Sequence, residues 1–256
     1  MKIIYPDQTL TVQADAEDGN YPDDNLLDEH PKKLWKGTGA SHIVKFTTAA
    51  GSEACALFNT NAATIAVTVM RGNRVQWAAS AQWTPSAQWY DGEASPTMLY
   101  DLNAEGVGRL WAEYMAISGP HIIELVLTGT AGSVLDGGVF VSGPLNTFDD
   151  PLYGIDEGLV DYSIVKELNN GATYTRKRDV VRAFGFVMFP ERDADFYTFM
   201  HSVAMLIGPG QMAWRLCHQT LTGWEWVVYG SMLTMPQGRH SNKTRSQITV
   251  SVREVL

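Results

Sequence analysis

The sequence predicts a mainly β protein, an N-terminal β-sandwich or jelly roll followed by a smaller α+β domain with one helix. Three observations carry this. Apolar runs are short and alternate with period two, 23 glycines punctuate them, and a single segment shows helical spacing. Of the 256 residues 45% are hydrophobic and 18% charged, the balance of a folded chain and not of a disordered one.

In the first half, His42 to Phe46 and Glu53 to Phe58 read as strands. Ala63 to Met70 follows, with Ile65, Val67 and Val69 on one face and Thr64, Ala66 and Thr68 on the other. Arg71-Gly72-Asn73-Arg74 turns that strand, and Ile122 to Thr128 and Gly138 to Ser142 complete the set. Gln76 to Tyr100 lacks periodicity and is expected to be irregular. Leu145 to Gly158, with Asp149-Asp150-Pro151 and Gly154, reads as a linker, dividing the chain into domains 1–148 and 149–256.

In the second half, Val180 to Phe189 is a strand. Phe196, Phe199, Met200 and Val203 then keep helical spacing between an Asp193 or Asp195 N-cap and Gly208-Pro209-Gly210, giving a helix over Ala194 to Ile207. Met212 to His218 and Trp224 to Tyr229 read as a hairpin turned by Thr222-Gly223. Gln247 to Arg253 alternates Ile248, Val250 and Val252 with polar residues as the closing strand.

The net charge of −9 argues against a phosphate-neutralising face, so no nucleic-acid partner is expected. The acidity is uneven: residues 1–150 hold 8 Lys and Arg against 18 Asp and Glu, residues 151–256 hold 11 against 10. No apolar run of membrane-spanning length occurs, and MKIIYPDQTL lacks a signal peptide's apolar core, so cytosolic synthesis without a membrane partner is expected. Cys55 and Cys217 are too few for a disulfide framework.

Catalytic signatures are missing: the sequence has no G-x-S-x-G, phosphate-binding loop, H-E-x-x-H or C-x-x-C. The chain is therefore not expected to be an enzyme, although a pair of glycosidase carboxylates, such as Asp23 or Asp24, is recognised by separation in space and leaves no sequence spacing. His30, His42, His121, His201, His218 and His240 lack ligand spacing, and Cys217 and His218, adjacent in a strand, would face opposite ways.

Asp15 to Glu29 is the densest polar feature. Its carboxylates on a turning backbone suit either a solvated acidic loop or, as the one cofactor candidate, calcium. Arg176-Lys177-Arg178 is the one local basic cluster; it reads either as a solvated loop or as a docking element for an acidic patch such as Asp15 to Glu29 of another subunit, and the second is the reading to be tested. With Phe196 and Phe199 of the helix it forms the candidate interface. Trp35, Trp83 and Trp89 are the candidate glycan contacts, because an exposed indole stacks on sugars. Trp214, Trp224 and Trp226 are expected in the core.

Tyr21-Pro22-Asp23-Asp24-Asn25-Leu26-Leu27-Asp28 followed by Leu34-Trp35-Lys36 resembles the opening of galactose-binding-like, discoidin-type jelly rolls. Phe58-Asn59-Thr60-Asn61 with the strand after it, Trp224 to Gly230, and the Ile248 to Leu256 ending are similar to segments of tail and baseplate proteins of tailed bacteriophages. The resemblance implies a structural virion subunit at the tail tip, a distal-tail-like protein that forms a homo-oligomeric ring, trimeric or hexameric, and docks other tail proteins. Distal tail proteins place the oligomerising domain first and the jelly roll second; here the order is reversed. The alternative is a carbohydrate-binding module that attaches the particle to a host glycan.

Overall fold

The structure, a computed structural model, describes residues 1–82, 98–102, 108–130, 132–149, 151, 154–167, 173–178, 180–190, 193–208, 210–216, 227–242 and 245–255. It is mainly β, with a β-sandwich and a small α+β part. In chain order the strands are β1 (Lys2–Ile4), β2 (Thr9–Ala14), β3 (Trp35–Gly37), β4 (Ser41–Thr48), β5 (Ala54–Thr60), β6 (Thr64–Arg71) and β7 (Arg74–Gln82). Then come β8 (Met98–Leu102), β9 (Gly108–Glu113), β10 (His121–Thr128), β11 (Leu135–Gly137), β12 (Val139–Gly143) and β13 (Leu145–Thr147). The rest are β14 (Ile155–Asp161), β15 (Ile164–Glu167), β16 (Thr173–Arg176), β17 (Val180–Met188), β18 (Gln211–Arg215), β19 (Val227–Asn242) and β20 (Arg245–Glu254). A 3₁₀ turn spans Asp23–Leu27, and helix lies between β17 and β18.

The chain divides into two compact units. The first comprises 1–147 and 212–228, the second 148–211 and 229–256. Residues 212–228, expected in the second domain, group with the first because β18 pairs antiparallel with β1, Lys2 opposite Arg215 and Ile4 opposite Ala213. The expected linker also contains strand: β13 pairs with the other edge of β1.

In the first unit, sheet β2-β4-β10-β6-β7 faces sheet β12-β5-β9-β8. The alternation read in β6 holds, with Ile65, Val67 and Val69 buried, and β10 contributes Ile123, Leu125 and Leu127 beside them. Phe46 of β4 stacks on Phe140 of β12, centroids 3.6 Å apart and planes 11° off parallel, which fastens sheet to sheet. Gln76 to Gln82, expected to be irregular, is strand: β7 pairs along β6, and Trp77 packs against Tyr114.

In the second unit β17 lies between β14 and β20, and β20 also pairs with β19. Ile248, Val250 and Val252 are fully buried, as the closing alternation predicts. The helical segment comprises α1 (Asp193–Tyr197), a π-helical stretch (Thr198–Ala204) and α2 (Met205–Ile207). Its middle is wider than the expected α-helix, and the Met205 N–H donates to the Met200 carbonyl five residues back. Phe199 and Val203 still turn inward, and Gly208 at φ 55° ends the segment.

Candidate functional site

Strands β14 and β17 form a hairpin in which Asp161 lies opposite Val180. The intervening chain pairs again, Ile164 opposite Arg176 through Glu167 opposite Thr173, so a second two-stranded ribbon continues the first as an arm. At its root Asp161 Oδ1 accepts the Ser163 N–H at 2.7 Å, and Ser163 Oγ accepts the Arg178 N–H at 3.0 Å. The Ser163 hydrogen bonds, with the nearby Lys177 ammonium, hold the Asp161 carboxyl below the usual carboxylate range.

Every residue from Thr173 to Arg178 is exposed, including the basic cluster Arg176, Lys177 and Arg178. Val165 and Tyr174 are 66% and 52% exposed, and Leu159 on β14 is 73% exposed. A lone two-stranded ribbon with bare apolar side chains is marginal in water, so the arm gains from being covered. The helical segment adds Tyr197, Met205 and Leu206 to the exposed apolar set of this unit. Phe196 and Phe199 do not join them. They are 6% and 0% exposed, because the inward face of the helical segment carries them; this corrects their candidacy as free interface residues.

The carboxylates of Asp15 to Glu29 are largely engaged in shaping their own loop. Asp15 accepts the Ile43 N–H and hydrogen-bonds His42 Nδ1 at 2.9 Å, Asp23 accepts the Ala14 N–H, and Glu17 accepts the Asp23 N–H. Asp18 accepts the Asn20 N–H, and Asp28 accepts the His30 N–H while Lys33 pairs with it at 2.6 Å, which lowers the Asp28 pKa. Asp24 and Glu29 are exposed. Among the described residues no three His, Cys, Asp or Glu side chains are grouped to hold a metal ion.

Trp35 is fully buried, and its indole N–H donates to the Ala16 carbonyl at 3.2 Å. It anchors the loop and has no free face for a sugar, which corrects its candidacy as a glycan contact. Trp83, Trp89, Cys217, His218, Trp224, Trp226 and the Thr222-Gly223 turn lie outside the described residues. Trp214 is fully buried, as expected. In the second unit a cavity of about 10 Å³, room for one water, lies between Asp149 and Asp195 over Phe199 and Ile248.

Sequence reasoning missed a buried ionic cluster in the first unit. Glu113 Oε1 accepts from Arg215 Nη1 and from the Trp111 indole, each at 2.9 Å, and Oε2 meets Lys2 Nζ at 2.6 Å. Burial pushes the Glu113 pKa up, but Lys2, Trp111 and Arg215 together outweigh it and hold the carboxyl below its usual range. It also missed β14 as an edge strand, whose signal is the short run Ile155-Asp156-Glu157-Gly158-Leu159-Val160-Asp161.

No family model matches the chain, and no curated protein matches it. Among solved structures, a chain of the "X-ray crystal structure of reduced XRCC1 bound to DNA pol beta catalytic domain" is similar at 11% identity, over 56% of this chain and 98% of that one. The TM-score is 0.39, too low to carry a conclusion about fold or function.

Proposed function

We propose that the chain is a structural subunit of a phage tail tip or baseplate, which assembles into a homo-oligomeric ring and docks other tail proteins. One observation carries the self-association: among the described residues, large apolar side chains are exposed more often in the second unit. Leu159, Val165, Tyr174, Val180, Tyr197, Met205, Leu206, Leu233 and Met235 lie there, against Leu10, Tyr21, Ile43, Val75, Met115 and Val134 in the much longer first unit. On the ring-forming reading, these side chains would be covered by a neighbouring copy. The tail-protein reading of that contact rests on the similarity of the Phe58 to Val69 and Ile248 to Leu256 segments to tail and baseplate proteins.

Mass photometry with negative-stain imaging of the purified chain tests it. Closed rings are expected, and in virion extracts the chain should co-sediment with tails; a monomer at every concentration, absent from tails, would overturn the reading.

A further inference from the structure

Among the described residues β14 pairs only with β17, and β16 only with β15. Each therefore presents a row of unshared backbone N–H and C=O groups on its outer edge. The two edges carry opposite charge. Ile155 to Asp161 holds Asp156, Glu157 and Asp161 with no cation, whereas Thr173 to Arg178 holds Arg176, Lys177 and Arg178 with no anion.

We propose that β14 of one copy pairs edge to edge with β16 of a second copy, so that the sheet of one subunit continues into the arm of the next. The inference rests on the ring-forming reading above and names the surfaces that would build the ring. Charge selects the occupant. Two β14 edges together would oppose carboxylate to carboxylate, and two β16 edges cation to cation, so pairing like with like is disfavoured on both sides. Only the head-to-tail combination is complementary, and a head-to-tail contact closes into a ring when its rotation allows.

Side chains support the same pairing. A register that sets Leu159 opposite Tyr174, which the pairing requires, would cover the bare apolar side chain of each edge. Within its own subunit Glu157 has Arg182 at 3.7 Å and Asp161 caps Ser163, which leaves Asp156 the carboxylate most available to a neighbour's Arg176 or Arg178. Main-chain hydrogen bonds would supply the affinity and these charges the register, as in other strand additions.

Charge reversal in separate preparations tests the pairing, with self-association measured by analytical ultracentrifugation at low salt. Asp156→Lys/Glu157→Lys and Arg176→Glu/Arg178→Glu should each raise the dissociation constant about tenfold or more. An equimolar mixture of the two should regain association, because every mixed contact is again complementary: fully in a hexamer, where the variants can alternate, and in part in a trimer, where one contact joins like variants. Wild-type association in both single preparations would overturn the pairing while leaving the ring-forming reading intact. A wild-type chain that stays monomeric would overturn both.

Should a charge variant misfold, disulfide trapping decides in a Cys217→Ser background. Leu159→Cys and Tyr174→Cys preparations should cross-link on mixing, and no cross-link would overturn the proposal.

Discussion

Glu113 and Arg215 meet at 2.9 Å although 102 positions separate them in the chain. With Lys2 on the other carboxylate oxygen, the pair binds β1, β9 and β18 of the first unit through one buried group. Glu113→Ala strands two cations there and should lower unfolding free energy by about 3 kcal/mol. The combined Lys2→Met/Glu113→Leu/Arg215→Met variant should lose clearly less, since no charge is left unpaired. Urea titration of both checks the contrast.

Acid should weaken the first unit in two stages. Burial holds the His121 pKa below its ordinary 6.5, and the ring is buried, with Nδ1 against the Gly119 carbonyl and Nε2 without a partner. The unfolded chain therefore takes up this proton first, so stability is full above 6.5 and declines as pH falls through that value toward the lower folded pKa. Glu113, whose folded pKa lies below the ordinary 4.5, adds a second loss as pH falls below that value. Burial raises the Asp7 and Asp136 pKa values, so these carboxyls offset part of the Glu113 loss; in the melting temperature against pH, His121→Phe should flatten the upper limb alone.

Asn61 and Asp136 clip the segment after β5 to β11 reciprocally, each backbone N–H donating to the other's side-chain oxygen at 3.0 Å. Asn61 also donates to the Val134 carbonyl at 2.8 Å. Asp136→Ala and Asn61→Ala should each cost about 1 to 2 kcal/mol, and the double variant less than their sum. A double-mutant cycle by denaturant titration checks the coupling.

Two glycines of the second unit should respond in opposite ways to alanine. At Gly230 a Cβ would collide with the Arg253 carbonyl of the paired strand, and backbone cannot swing aside. Gly230→Ala should destabilise by about 2 kcal/mol. At Gly158, on the outer strand, a Cβ meets nothing within 4 Å, so Gly158→Ala should leave the melting temperature near wild type.

Cys55 reports on the first unit's integrity. Its thiol is fully buried and burial drives its pKa far above the ordinary range, so almost no thiolate exists at neutral pH. In a Cys217→Ser background a maleimide should leave the folded protein unlabelled and react at the rate of unfolding in denaturant.

The strands legible in the sequence are those with one wet and one dry face. In β4, β6, β10 and β20 the period-two pattern marks the buried side directly, and each lies where the alternation places it. In β5 and β12 every residue or nearly every residue is buried, so position was readable from apolar runs but not from facing. The length of β19 was hidden: Pro236 and Gly238 interrupt the pattern after Tyr229, yet register shifts between Met232 and Gln237 absorb the irregularity and let the strand run sixteen residues. The ionic cluster left no local trace, because Lys2, Glu113 and Arg215 converge only through strand pairing. Trp35 showed why an indole in a polar loop is ambiguous, since Leu26 and Leu57 join it in one core cluster. The basic cluster was legible as charge, but β14 as an acidic sheet edge was not, because an edge is a property of the sheet.

The interleaving of the two units fixes an order on the growing chain. Strand β13 becomes available to β1 once it has left the ribosome, but the other side of β1 waits for β18, some 65 residues later. At ordinary translation speeds that interval is roughly 3 to 13 seconds. Throughout it, Lys2 and Glu113 lack Arg215 and one flank of β1 stands bare. The nascent chain thus passes through a timed window of stickiness, and a synonymous codon change that slows synthesis between 148 and 211 lengthens it.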